Sequence, residues 1–143
     1  MDRVDRGAGT ESRMDALSQR DVPPPVRVLV VDDEEAFRFV LEEVLKPFGY
    51  DVKTASDGDE AIELLKVETF DVVLLDVKMK RVDGFEVLKY AKAHCPETRV
   101  IMLTAYGDAR TAIESFHLGA SGILGKPCDL NDVLTTIERT LYT

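Results

Sequence analysis

The stretch that decides the fold is residues 26–33, which read Val-Arg-Val-Leu-Val-Val-Asp-Asp. Five of the first six residues are Val or Leu, and the run then ends in two acids. A strand with one exposed face would alternate apolar and polar residues, whereas near-continuous apolarity is typical of a strand buried on both faces. The stretch therefore predicts a buried strand that carries carboxylates at its carboxyl end.

Four further segments have strand character. They are residues 50–55, 72–75, 100–103 and 121–124. The segments between and after the strands repeat apolar residues at i, i+3, i+4 and i+7, as residues 37–48 and 130–141 do, which indicates amphipathic helices. Five alternations of strand and helix in one short chain predict a doubly wound α/β fold, (βα)5, whose five-stranded parallel sheet is covered by helices on both faces.

The length of the chain, 143 residues, leaves room for one domain and a tail, because a domain takes roughly 100 to 200 residues. Residues 1–25 carry four Arg, five Asp or Glu and the run Pro23-Pro24-Pro25, and they show almost no apolar periodicity. We therefore expect a disordered N-terminal extension over residues 1–25 and a folded domain over residues 26–143.

The charge balance excludes several classes of protein. Lys and Arg number 18 against 27 Asp and Glu, so the net charge is -9 and the surface should repel nucleic-acid phosphates and anionic lipid. No apolar run approaches the roughly 18 residues of a membrane span, and the N-terminus lacks the apolar region of a secretory signal. Cys95 and Cys128 lie far apart and suggest neither a disulfide framework nor a zinc site. We expect a cytoplasmic protein with no membrane or direct nucleic-acid contact.

Polar residues stand where the predicted strands end. They are Asp32 and Asp33 after the first strand, Asp76 after the third, Thr104 after the fourth and Lys126 after the fifth. In doubly wound sheets, functional groups gather beyond the carboxyl ends of the strands. Three carboxylates brought together there repel one another, and oxygen ligands of this kind suit Mg²⁺, which often bridges to phosphate. The residues predict metal-assisted phosphoryl transfer onto an Asp, and their chemistry alone leaves open which Asp attacks.

These motifs, in their order and spacing, resemble the receiver domain of two-component response regulators over residues 26–143. The matching segments are Val30–Glu34, Leu74–Met79, Asp83-Gly84, Leu103–Ala105, Gly119-Ala120 and Lys126-Pro127. The resemblance implies a flavodoxin-like fold with strand order 2-1-3-4-5. It also implies either a stand-alone receiver or the receiver of a nitrogen-control-type transcription activator, a type that residues 103–107 resemble.

For the site, the resemblance implies that a histidine kinase or phosphotransfer protein phosphorylates Asp76 in a Mg²⁺-dependent reaction. Asp33, Asp76 and the carbonyl of Lys78 would ligate the Mg²⁺, and Asp32 would act chiefly through a metal-bound water. Such a protein is a phosphoacceptor switch that catalyses its own phosphorylation and dephosphorylation, rather than an enzyme with a separate substrate.

The resemblance also implies a conformational switch. Thr104 would move toward the phosphoryl group and remodel the face formed by helix 4, strand 5 and helix 5, which would change contacts with a partner or with a second copy in a homodimer. The family often has an aromatic residue three positions before the Lys, and Ile123 stands there in this chain. The switch is therefore expected to work with an aliphatic side chain at this position.

The lifetime of the acyl phosphate depends on whether water can approach phosphorus in line with the scissile bond. The resemblance places Lys78, two residues after the phosphoacceptor, and Tyr106, two residues after Thr104, beside that path. Neither is a carboxylate base or an amide that positions water, and both are large enough to obstruct it. We therefore expect slow self-dephosphorylation.

Two alternatives use similar residues. A phosphatase of the haloacid-dehalogenase type also has an Asp nucleophile with Mg²⁺, but it needs a second Asp two residues later, where Lys78 stands. A pseudo-receiver would be a pure interaction module that takes no phosphate, although the acids, Thr104 and Lys126 are all present here. The residues favour the receiver over both.

Overall fold

The computed structural model describes residues 23–105 and 108–142, in which five strands alternate with five helices. The strands are β1 (Arg27–Val31), β2 (Asp51–Ala55), β3 (Val72–Asp76), β4 (Arg99–Ala105) and β5 (Gly122–Lys126). The helices are α1 (Glu35–Leu45), α2 (Gly58–Val67), α3 (Gly84–His94), α4 (Ala109–His117) and α5 (Leu130–Leu141).

The strands form one parallel sheet in the order β2-β1-β3-β4-β5. Because successive side chains of a strand point to opposite faces, the strands supply two separate apolar clusters. One cluster includes Leu65 of α2 and Leu88 of α3, and the other includes Leu41 of α1 and Ile137 of α5. The doubly wound fold and the strand order are therefore confirmed.

The first helix is shorter than its apolar stripe suggests. The stripe continues to Phe48, but α1 ends at Leu45 and a single 3-10 turn, Lys46–Phe48, follows it. Pro47 lies within that turn, and proline lacks the N–H and crowds the preceding turn of an α-helix. Gly49, at φ +91°, then redirects the chain, and the Phe48 side chain is left exposed.

Two strands extend further toward their carboxyl ends than the apolar runs indicate. β4 continues to Ala105 and β5 to Lys126, with Thr104 opposite Gly125 and Ala105 opposite Lys126 in the ladder. Thr104 and Lys126 are therefore held by strand pairing rather than by loops.

An aspartate caps the N-terminus of each helix that follows β2, β3, β4 and β5. Its side chain accepts a hydrogen bond from the backbone N–H of the residue three positions later. These aspartates are Asp57, Asp83, Asp108 and Asp129. After Asp83, residue 84 must be glycine, because a Cβ on Gly84 would lie 2.3 Å from the carbonyl oxygen of Asp76. The start of α3 is thus fitted directly against the end of β3.

The prediction for residues 1–25 falls largely outside the described residues, which begin at Pro23. Residues 23–26 precede β1 without regular structure, and Pro23, Pro24 and Pro25 are exposed. Among the helices of the described ranges, none is long and apolar enough to cross a membrane.

Candidate functional site

Three carboxylates meet at the carboxyl end of the sheet. β1 and β3 are neighbours with Val31 opposite Leu75, so Asp32 and Asp76 follow at the same level. Asp33 joins them, and one oxygen from each of the three acids lies within 4.8 Å of the others. Asp32 is completely buried and the Asp76 side chain is 13% exposed, whereas Asp33 is exposed. The acids at the strand ends therefore come together as predicted.

Lys126 is the cation beside this cluster. Its Nζ donates a hydrogen bond to Oδ2 of Asp32 at 2.5 Å and lies 3.9 Å from Oδ2 of Asp76. Asp32 is also held from its other side, because its Oδ1 accepts from the Glu34 backbone N–H at 2.9 Å. Its carbonyl oxygen accepts from Nη1 of Arg38 at 2.7 Å. The Lys126 ammonium is thus hydrogen-bonded to Asp32 and lies within ion-pair distance of Asp76.

Burial and the neighbouring charges shift the pKa values of Asp76 and Lys126. Burial raises the pKa of Asp76 to about 6, and the nearby charge of Asp32 adds to this, while Lys126 and a hydrogen bond from the Lys78 backbone act in the opposite direction. Burial lowers the pKa of Lys126, but its hydrogen bond to Asp32 and the charge of Asp76 outweigh burial, so its pKa is raised overall. Negative charge in this pocket is therefore incompletely balanced, and Lys126 remains an ammonium.

The donor set fits a hard divalent cation. Carboxylate oxygens that lie within a few ångströms of one another are the ligands Mg²⁺ takes, whereas zinc sites are built mainly from nitrogen and sulfur. The charge of the cluster also fits, since three acids beside one ammonium leave room for two more positive charges. Asp32, Asp33 and Asp76 are thus suited to hold Mg²⁺ directly or through its waters.

Thr104 completes the group of strand-end residues. It is buried near the end of β4, and it shares a cavity of about 260 Å³ with Ile123 of β5. Asp108 and Ala112, at the start of α4, line the same cavity. The two predicted switch residues therefore border one space beneath α4.

The model of the response regulator receiver domain matches residues 28–138. The chain belongs to the response regulator receiver family. The receiver is 38% identical over 116 residues to the transcriptional regulatory protein ZraR of Escherichia coli K12, which covers 81% of this chain and 26% of ZraR. It is 36% identical over 115 residues to the sporulation initiation phosphotransferase F of Bacillus subtilis, which covers 80% of this chain and 93% of that protein.

Solved structures agree with this family. The chemotaxis protein CheY4 of Vibrio cholerae superposes on the receiver with a TM-score of 0.77 at 34% identity, over 82% of this chain and 99% of CheY4.

Receiver domains are phosphoacceptor switches that kinases phosphorylate on an Asp. They interact with histidine kinases or phosphotransfer proteins, and they generally bind Mg²⁺ at an acidic pocket. The chain spans about a quarter of the length of ZraR.

The residues predicted to set the phosphoryl lifetime are only partly described. Lys78 is exposed and follows Asp76 by two residues, at the start of the loop that leads to α3. Tyr106 lies outside the described residues.

Sequence reasoning missed three residues around Lys126 and Asp32. Glu34 and Arg38 hold Asp32 through the bonds given above, and the ring of Phe37 lies 4.4 Å from Nζ of Lys126. Phe37 was predicted only as part of the apolar stripe of α1. Apolar periodicity identifies the inward face of a helix, but it carries no signal for a cation that arrives from a strand about 90 residues later.

Proposed function

We propose that this receiver takes a phosphoryl group onto Asp76 from a histidine kinase or phosphotransfer protein, in a Mg²⁺-dependent reaction that its own residues catalyse. The observation that carries the proposal is the position of Asp76: it ends the central strand, and its carboxylate lies close to the other two acids and 3.9 Å from Lys126. Asp32 already accepts a short hydrogen bond from Lys126, and Asp33 is exposed, so Asp76 is the acid best placed to attack.

In the reaction, an Asp76 oxygen forms a bond to phosphorus while the bond from phosphorus to the donor nitrogen or oxygen breaks, and the electron pair leaves with the donor. Lys126 swings from Asp32 toward Asp76 and neutralises a phosphoryl oxygen. The hydroxyl of Thr104 donates a hydrogen bond to another. Bound Mg²⁺ would be held by Asp33, Asp76 and the Lys78 carbonyl, with Asp32 acting through water, and it would supply neutralisation of negative charge.

The direct test is covalent labelling of Asp76. Intact-mass measurement after treatment with acetyl phosphate and Mg²⁺ should show one added phosphoryl group in the wild type and none in Asp76→Asn. Asp71→Asn, at the opposite end of the same strand, is the matched control and should label like the wild type. Labelling of Asp76→Asn at the wild-type level would refute the assignment, and an unlabelled wild type would favour a pseudo-receiver.

We also propose that phosphorylation is read out through α4, β5 and α5. α4 supports this because Ser115 is its single fully buried residue among those described, while Ile113 and Phe116 are 59% and 54% exposed. A weakly packed helix above a cavity shared by Thr104 and Ile123 is suited to move when Thr104 moves. The expected consequence is a change of contact with a partner or with a second copy of the chain.

Light scattering and kinase pull-down, each with and without beryllofluoride and Mg²⁺, test this output. A difference that disappears in Thr104→Ala but persists in Thr98→Ala, a buried threonine at the opposite end of the sheet, would support the switch. The absence of any difference in the wild type would contradict it.

The remaining predictions about this receiver concern lifetime and context. We propose that this receiver dephosphorylates itself slowly. Decay of phospho-Asp76 should therefore accelerate in Lys78→Asn and in Tyr106→Ala. Equal or slower decay in both variants would show that other residues control the access of water. Two further statements remain predictions from the sequence. The first is that a disordered extension over residues 1–25 precedes a receiver domain over residues 26–143. The second is that the protein is cytoplasmic and makes no direct contact with nucleic acid.

A further inference from the structure

The aromatic ring of Phe37 lies against Lys126, the cation beside the acidic cluster. Phe37 belongs to the first turn of α1 and is half-buried, and its ring centre is 4.4 Å from Nζ of Lys126. On another side the same Nζ is bonded to Asp32. The ammonium is therefore held between a carboxylate and an aromatic face.

An aromatic face can hold an ammonium without consuming its hydrogen bonds. The negative face of the ring attracts the cation, and the attraction grows where water is partly excluded. The Lys126 side chain is 26% exposed, so water is partly excluded from its surroundings. A lysine has three N–H donors on a flexible four-carbon stem, and the bond to Asp32 uses one of them. The ring limits the movement of the stem and leaves the other donors available.

We propose that Phe37 is a positioning residue for Lys126: its ring keeps the ammonium beside Asp76, where it must meet the incoming phosphoryl oxygens. This inference rests on the proposed phosphorylation of Asp76. The charged groups that act on Lys126 are Asp32, Asp76 and Glu34, all acids, and its Nζ lies 2.5 Å from Asp32 and 3.9 Å from Asp76. The ring restricts the ammonium to the region that Asp32 and Asp76 share.

The surroundings of Phe37 determine which substitutions are informative. A cavity of about 440 Å³ borders the ring and is lined by Glu34, Phe37, Lys126, Pro127 and Cys128. This space can accommodate the larger indole of tryptophan, the aromatic side chain that attracts cations best. Leucine keeps an apolar side chain at the position but has no aromatic face. Phe39, on the same helix and 62% exposed, provides a control.

The experiment measures Mg²⁺-dependent labelling of Asp76 by acetyl phosphate in four proteins. We expect Phe37→Leu to label about three- to tenfold more slowly than the wild type, and Phe37→Trp to label at the wild-type rate or faster. Phe39→Leu should be unchanged. In the metal-free protein, NMR of the Lys126 ε-methylene should show a ring-current shift that Phe37→Leu loses and Phe37→Trp retains.

A double-mutant cycle with Lys126→Ala separates positioning from a general effect on folding. Measured as beryllofluoride affinity, Phe37→Leu should weaken binding in the wild-type background and have no further effect once Lys126 is removed. An equal loss in both backgrounds, or wild-type labelling by Phe37→Leu, would overturn the inference. These outcomes differ from failure of the proposed function, in which the wild type itself would neither label nor bind beryllofluoride.

Discussion

The two ends of the parallel sheet treat charge in opposite ways. At the amino end, Arg27 bonds Asp51 through Nε at 3.1 Å and Glu68 through Nη2 at 2.7 Å, and Lys53 bonds Glu68 from its other side at 2.7 Å. The guanidinium also lies 4.7 Å from the centre of the Phe70 ring. The backbone N–H of Arg27 also donates to Oδ2 of Asp71 at 2.8 Å, so all three of these acids accept hydrogen bonds. At the carboxyl end, three clustered acids share the single ammonium of Lys126.

The pKa values record this difference. Hydrogen bonds from Lys53 and then Arg27 hold the pKa of Glu68 below its ordinary value, whereas burial and the charge of Asp32 raise the pKa of Asp76 to about 6. Ionised Glu68 therefore stabilises the fold, and ionised Asp76 destabilises it. Charge at the amino end stabilises the fold, whereas the carboxyl end keeps an excess of negative charge, which suits a divalent cation.

The largest expected effect is on metal affinity at the carboxyl end. Asp33→Ala removes one exposed carboxylate from the cluster and should weaken Mg²⁺ binding by about tenfold or more, because affinity depends on the number of charged ligands. Asp51→Ala removes an acid from the amino end and should leave Mg²⁺ affinity unchanged. Calorimetric titration with Mg²⁺ measures both. Equal affinities in Asp33→Ala and the wild type would remove Asp33 from the metal site.

The next effect is a gain of stability when the cluster loses a charge. In EDTA at about pH 7, Asp76→Asn should raise the free energy of unfolding by about 1 to 2 kcal/mol, after allowance for solvent screening. The gain should shrink as pH falls from about 6 to 4, because wild-type Asp76 is then protonated in the folded state and its cost disappears. Urea unfolding followed by circular dichroism tests this, and a gain that does not vary with pH would contradict it.

At the amino end, removing a charge should lower the free energy of unfolding, by less than Asp76→Asn raises it. Arg27→Met keeps the apolar stem and removes the bonds to Asp51 and Glu68, so it should lower the free energy of unfolding by about 1 kcal/mol. Arg81→Met is the control, because Arg81 bonds Asp59 in a pair whose side chains are 71% and 55% exposed. That variant should change stability by less than about 0.5 kcal/mol. If the two variants were equally stable, the amino-end network would be no more than a surface pair.

The smallest effect concerns the pH dependence of the amino end. Because the folded pKa of Glu68 is lowered, its stabilisation is present above the unfolded pKa and is lost as pH falls through the folded value. Glu68→Gln should therefore be less stable than the wild type near neutral pH, and the difference should shrink below the ordinary Glu pKa and vanish below the lowered folded pKa. Urea titrations over a pH series would show this trend, which is opposite to that expected for Asp76→Asn. A difference that persists in acid would have another origin.

The comparison of the two ends also shows where sequence reasoning stopped. The sequence contains the acids and cations of both ends. It predicts a common site only for those at the carboxyl ends of the strands, because doubly wound folds place functional groups there. Arg27 lies within the very stretch that predicts the first strand, and its partners Asp51 and Glu68 are distant in sequence. Nothing in the local pattern indicates that pairing.

By itself, the sequence determined the local structure and the chemical types at the site. Apolar runs gave the five strands, apolar periodicity gave the helices, and the residues that interrupt the runs supplied the acids, Thr104 and Lys126, while the strand order came from family resemblance. The tertiary structure alone decided that Lys126 is bonded to Asp32 and rests on Phe37, and that burial raises the pKa of Asp76. The reason is physical: periodicity reflects contacts within one element, whereas desolvation and charge coupling depend on groups that separate strands and helices bring within a few ångströms.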